Sequence, residues 1–253
     1  MATRILRIWF FLASTVLIAF PDWLGAYRPF NTEDAYPTGK GIWNLEISYD
    51  RLRFSDRESH HFLQLIPVWG ATAWLDLSVT LPYLIIDQSS QTFHGYGDVV
   101  LASKWILVEP RSGRPGIAFR GSVKLHTGDE KKGLGSGDVD LEGVVAGSYR
   151  VGKTYLHAMA GYTRVGREKD QQLKNFAFGG VALDAPLKGP FRLAGELEIS
   201  QPQARNQHGL ARQALLGGYW LIGTRMVLDG GVRFGSADVF PKWNWFLGLT
   251  LFL

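Results

Sequence analysis

The chain has 253 residues, 46% of them hydrophobic, 13% aromatic and 20% charged, which suits one folded domain and excludes a disordered or low-complexity protein. Mean hydropathy is -0.03, and beyond residue 26 no apolar run approaches the roughly 20 residues of a spanning helix, so a helical membrane protein is excluded. The absence of cysteine removes disulfides, a lipidated N-terminal Cys and Cys-based metal sites, and the net charge of +4 comes from Lys and Arg interleaved with acids along the whole chain, which leaves a nucleic-acid partner without support, and none is expected.

At the N-terminus, Arg4 and Arg7 precede the apolar run Ile8 to Phe20, followed by Pro21, Asp22, Gly25 and Ala26. Basic start, short apolar run and small-residue exit predict a secretory signal peptide over 1–26, leaving residues 27–253 as the mature domain.

The mature chain alternates with period two. Trp43, Leu45, Ile47 and Tyr49 oppose Asn44, Glu46, Ser48 and Asp50, and Leu75, Leu77, Val79, Leu81 and Tyr83 oppose Asp76, Ser78, Thr80 and Pro82. Further copies are Ile117, Phe119, Val123 and Leu125 against Arg120, Ser122, Lys124 and His126, and Val139, Leu141, Val145 and Tyr149 against Asp138, Asp140, Glu142 and Arg150. The same pattern sets Phe191, Leu193, Leu197 and Ile199 against Arg192, Glu196 and Glu198, and Met226, Leu228, Val232 and Phe234 against Arg225, Asp229 and Arg233. Weaker segments lie near 61–69, 98–107, 154–164, 176–184, 211–221 and 243–253. Period two means strands, and the count is about twelve. The connections alternate between short ones (near 70–73, 108–116, 151–153, 185–190 and 222–224) and long ones (near 51–60, 87–97, 127–137, 165–175, 200–210 and 235–242).

This predicts an all-β fold, a closed antiparallel transmembrane β-barrel in the bacterial outer membrane with both ends periplasmic. Aromatic girdles are expected from Trp43, Trp105, Tyr149, Tyr155 and Tyr219 near the short turns and Tyr83, Tyr162, Trp243 and Trp245 near the long loops. A soluble barrel would turn the charged face outward. In lipid that is forbidden, because Arg120 and Lys124 would each cost about 2 to 4 kcal/mol near the midplane. The charged face therefore lines the lumen, and outer-membrane lipid covers the other.

The stretch Arg28-Pro29-Phe30-Asn31-Thr32-Glu33-Asp34-Ala35, then Gly39-Lys40-Gly41, resembles the start of the outer-membrane transporter family named for the meta-pathway of phenol degradation. Asp76 to Tyr83, Gly97-Asp98-Val99 to Trp105, Thr127-Gly128-Asp129 and Gly135-Ser136-Gly137-Asp138 agree. The resemblance implies a pore-like barrel for small hydrophobic or aromatic solutes, and an outer-membrane barrel is expected to be inserted by the barrel-assembly machinery. It brings no active site and no cofactor.

Catalysis has little support in the residues. The chain has six His, and none forms a local His-x-Ser element of the kind a lipid-hydrolysing barrel would use; such an enzyme, or a passive structural barrel, is the alternative reading. No metal is expected, since His60 and His61 point to opposite faces of a strand and Lys131 and Lys132 break up the acids Asp129, Glu130, Asp138 and Asp140.

The informative set is the lumen face: Glu46, Asp50, Asp76, Asp98, Glu142, Glu196 and Asp229 among the acids, with Lys104, Arg120, Lys124, Arg150, Arg192, Arg212, Arg225 and Arg233 among the bases. They read either as a salt-bridge network that fills the barrel or as a transverse field across a narrow pore. The expected constriction is where Arg120, Lys124, Arg225 and Arg233 meet Glu46 and Asp76 across the lumen. Twelve strands lie between the eight that side chains can fill and the sixteen that leave a wide channel, so open and plugged lumens both fit.

Overall fold

In chain order the strands are β1 (Trp43–Ser55), β2 (Glu58–Gly70), β3 (Leu75–Gln88), β4 (Gln91–Tyr96), β5 (Val100–Val108), β6 (Gly116–Lys124), β7 (Asp140–Val151), β8 (Thr154–Arg164), β9 (Phe176–Lys188), β10 (Phe191–Ser200), β11 (Ala211–Ile222), β12 (Met226–Ser236) and β13 (Trp243–Phe252). They come from a computed structural model, which describes residues 28–55, 57–88, 91–166, 173–236 and 240–253. The expected signal peptide and Tyr27 lie outside the described residues.

Each strand pairs antiparallel with its sequence neighbour, and β1 pairs with β13 from Asn44↔Phe252 to Arg53↔Trp243, which closes the sheet on itself. Closure leaves no free sheet edge to face lipid. Strands β4 and β5 both pair with β3 and form two pieces of one stave, giving a closed twelve-stranded antiparallel barrel. The break at 97–99 faces Pro82, whose ring cannot donate to the ladder. There Gly97 donates its N–H to the Pro82 carbonyl at 2.9 Å, and a Cβ at Gly97 would lie 2.4 Å from Leu84.

The face assignment holds along the wall. Asn44, Glu46 and Ser48 on β1 are buried, while Leu63 on β2, Val145 on β7, Val181 on β9, Leu197 on β10, Leu216 on β11 and Leu247 on β13 stand exposed on the outside. A continuous outer band of large apolar side chains on a closed barrel is a surface made for lipid. Leu197 is 62% exposed midway along β10, so Leu197→Arg should cost about 2 to 4 kcal/mol in lipid. Urea unfolding in liposomes checks this, with Leu197→Ala as the apolar control.

Paired rings mark the short-turn ends, Trp43 with Trp69, Trp74 with Trp105 and Phe191 with Trp220, their centroids 5.3–5.7 Å apart. Toward the other end Tyr49 packs on Trp245 and Tyr83 on Tyr96. Two expected girdle members are corrected. Tyr155 and Tyr219 face the lumen, where Arg192 lies over both rings, because each falls in register with Asp184 or Asp229 on the inner face.

Two expected long loops are also corrected. Residues 51–60 and 87–97 are mostly ladder, with Arg53↔Ser59 and Gln88↔Gln91 paired close to each hairpin tip. Above the lipid both faces of a strand are wet, so the hydrophobic alternation fades although the backbone pairing continues. The stretches 125–139 and 201–210 do leave the sheet.

Candidate functional site

The segment Arg28 to Thr38 is not part of the wall. It lies inside the barrel as a strap, with Phe30, Thr32, Asp34, Ala35, Tyr36 and Thr38 all buried. Gly39 (φ 100°) and Gly41 (φ 79°) make the turn that returns it to β1, a left-handed conformation that favours glycine. The Gly41 N–H donates to the Gly70 carbonyl at 2.7 Å, and a Cβ on Gly70 would fall 1.8 Å from the Gly39 carbonyl oxygen. The turn is thus packed against the end of β2.

Backbone donors of the strap are taken up by side chains on the wall. Asn31 and Thr32 donate their N–H groups to the Glu196 carboxylate on β10 at 3.2 and 2.5 Å. Ala35 N–H donates to Ser148 Oγ on β7 at 2.9 Å, and Thr38 N–H to Asp76 Oδ2 on β3 at 2.9 Å. In return Arg233 on β12 donates to the Pro29 carbonyl at 2.7 Å, pairs with Asp50 at 3.0 Å and lies 4.1 Å over the Phe246 ring. Arg28 pairs with Asp229 at 3.3 Å. An extended segment with no sheet neighbours must satisfy its amides somewhere, and here lumen carboxylates and a hydroxyl do so.

Ser148 also holds His157 on β8. Its oxygen accepts from Ala35 and lies 2.8 Å from His157 Nδ1, so one hydroxyl joins the strap amide to the imidazole. Tyr36 packs edge-on against Tyr155 and His157. These residues form the seat of the strap.

The strap brings its own charges. Lys104 Nζ on β5 lies 3.4 Å from Glu33, 3.4 Å from Asp34 and 3.9 Å from Asp76. Arg120 on β6 bridges Glu33 at 3.4 Å and Glu142 on β7 at 3.0 Å. Across the lumen Arg192 pairs with Asp184 at 2.6 Å and donates to Tyr219 Oη at 2.9 Å. Between the strap and the walls of β1, β2, β3, β5 and β6 lies a chamber of about 140 Å³. Its lining is Phe30 to Asp34 from the strap and Glu46, Ile66, Val68, Asp76, Ser78, Thr80, Ala102, Lys104 and Arg120 from the wall.

A second device closes over the far mouth. Asp98, at the break between β4 and β5, accepts from the N–H groups of Gly128 and Ser136 at 2.9 and 2.8 Å, and Thr127 Oγ1 accepts from Val99 N–H at 2.8 Å. Lys124 pairs with Asp140 at 2.5 Å and lies 3.6 Å from Asp98. The clamp folds the loop inward, burying Leu134 against Leu84 and Ile86, with Phe62 and Phe93 beside them. In the same loop, the hydrogen bond from Lys132 holds the Asp129 carboxyl below its usual range.

Of the candidates named from sequence, Glu46, Asp76, Lys104, Arg120, Lys124, Glu142, Arg192, Glu196, Asp229 and Arg233 all face inward. Two are corrected: Arg212 is exposed on the outer face at the far rim of β11, where it opposes Ile199, and Arg225 is exposed in the turn between β11 and β12. Arg212 follows the parity of outward Ala214 and Leu216, which the glycines Gly217 and Gly218 obscure. Pairing is also more local than a cross-lumen meeting of Arg120 and Arg233 with Glu46 and Asp76. The partners that sequence reasoning missed are on the strap, and the signal was the run Asn31-Thr32-Glu33-Asp34, too polar for a strand and too near β1 for a separate domain.

The family model for the MetA-pathway of phenol degradation matches residues 26–236. The chain belongs to this family. No curated protein matches the sequence. Among solved structures the barrel is similar to an outer membrane channel from Pseudomonas putida F1, with TM-score 0.70 and 13% identity over 90% of this chain and 100% of that one. It is also similar to the NanC porin (TM-score 0.58, 8% identity, 83% and 98% covered) and the KdgM porin (0.54, 9%, 82% and 98%). At such identities the shared property is the fold, that of an outer-membrane barrel, and outer membrane is where this family member belongs.

Proposed function

We propose that this protein is an outer-membrane channel that passes or binds small hydrophobic or aromatic solutes without catalysing a reaction, exported behind a cleaved signal peptide and inserted by the barrel-assembly machinery. The carrying observation is the strap, a polar segment held in the lumen beside a chamber lined by both charged and apolar side chains. Support comes from the family's link to phenol degradation. Planar-bilayer conductance and solute uptake into liposomes test it, and a refolded barrel that neither conducts nor admits any small solute would overturn it.

The pairing geometry sets the expected selectivity. Around the strap, Glu33, Asp34, Glu46, Asp50, Asp76, Asp184, Glu196, Glu198 and Asp229 outnumber Arg28, Lys104, Arg120, Arg192 and Arg233, so the pore should favour cations. Arg120→Ala releases Glu33 and Glu142 and should shift the reversal potential further toward cations. Arg225→Ala, in an exposed turn, should leave it where it is. Phospholipid hydrolysis in mixed micelles tests the enzyme alternative. The Ser148–His157 pair sits under the strap, inside the barrel and away from lipid, so turnover lost in His157→Ala would sink the channel reading.

A further inference from the structure

We propose that the chamber beside the strap is a binding station for a small amphiphilic cation, an ammonium group on a one-ring or short apolar body, with Glu46 as the group that receives the charge. The proposal rests on the channel reading and names the solute class its lumen selects.

The first observation is size and polarity. A volume of about 140 Å³ is close to the engineered cavity of roughly 150 Å³ that takes up benzene. Unlike that cavity, this one is mixed in character. Phe30, Ile66 and Val68 supply apolar lining, and the ladder sets Ile66 directly beside Glu46 and Val68 beside Ser78.

The second is charge. Glu33, Asp34, Glu46 and Asp76 line the chamber against Lys104 and Arg120, and Arg120 is shared with Glu142 outside it. The chamber lining therefore holds four carboxyl groups against two bases, an arrangement that disfavours a bound carboxylate and suits a cation.

The third is Glu46 itself. It is only 6% exposed, lines the chamber, and among the described residues makes no hydrogen bond or close ion pair. A buried carboxylate without a hydrogen-bond partner is costly. The other lumen acids of the strap region are engaged: Glu196 by the amides of Asn31 and Thr32, Asp229 by Arg28, and Asp184 by Arg192 and Tyr219. Oδ2 of Asp34 is likewise buried and without a hydrogen-bond partner, although its Oδ1 accepts from Tyr36 N–H and Lys104. An ammonium group placed here would complete the pairing while its apolar body lay on Phe30, Ile66 and Val68.

The test uses three isosteric probes, benzylamine, benzyl alcohol and benzoate, titrated by calorimetry into refolded full-length protein in micelles, with gel heat-modifiability confirming the fold of each variant. The expected order is benzylamine tightest and benzoate weakest. Glu46→Gln should cut the preference for benzylamine over benzyl alcohol about tenfold, the scale of one hydrogen bond to a charged group. Val68→Phe, which fills the chamber from the neighbouring strand β2, should abolish binding of both. Benzoate binding as tightly as benzylamine, or a preference unchanged in Glu46→Gln, would overturn the proposal. Bilayer conductance measured on the same samples separates the two readings: a conducting barrel that does not bind benzylamine sinks the station alone, whereas Glu46-dependent binding in a barrel that does not conduct sinks the channel.

Discussion

A barrel that begins at Gly39, refolded without the strap, should conduct several-fold more than the parent. Residues 28–38 touch the inner faces of β3, β5, β7, β10 and β12 through Asp76, Lys104, Ser148, Glu196 and Arg233, so they cross the lumen rather than follow one wall. Conductance through a narrow pore is set by its tightest section, and a twelve-stranded barrel stripped of its strap falls between the filled eight-stranded and the open sixteen-stranded cases. The sheet itself should survive. Its ladder closes through β1 and β13 without any strap residue, and the lumen side chains that lose partners become hydrated. Heat-modifiability should therefore persist while single-channel current rises. Glu196→Ala, which removes the acceptor of two strap amides, should give the milder version, brief openings to the larger level. A deletion that conducts like the parent would place the permeation path elsewhere.

Lys104→Met should be the most destabilising single change in the lumen, costing about 3 to 5 kcal/mol, the usual penalty for removing one partner of a buried ion pair. The ammonium is 6% exposed and stands between Glu33, Asp34 and Asp76, two of which are almost fully buried. Methionine keeps the length of the side chain and removes the charge, leaving three carboxylates facing one another. The contrast is Arg111, whose pair with Glu109 at 2.9 Å is well exposed; Arg111→Ala should cost under about 1 kcal/mol. Urea midpoints of the two variants in the same liposomes decide the matter, and equal losses would show that the Lys104 cluster is hydrated as freely as the rim.

The face of each strand was legible because lipid and a charged lumen impose opposite demands on alternating residues. Glu46, Asp76, Arg120, Glu142 and Glu196 could be assigned inward by parity alone. Arg212 went astray where the glycines of β11 interrupt the alternation, and Tyr155 and Tyr219 where an aromatic near a strand end was taken for an interfacial ring. Each belongs to the lumen or the rim for a reason of register, which involves a neighbouring strand.

By itself the sequence determined the closed antiparallel barrel, its strand count and the side of the wall on which charge must lie, since each follows from period two and the cost of a charge in hydrocarbon. It also marked the strap and the Asp98 region as stretches shared with the family. Only the tertiary structure decided that the strap folds into the lumen, that Lys104 and Arg120 answer to Glu33 and Asp34 rather than to acids across the pore, and that Glu46 lines the chamber between the strap and the wall. Those pairings join residues up to 204 positions apart. No local pattern encodes them, because a polar segment beside a strand satisfies its amides equally well in water until the closed barrel surrounds it.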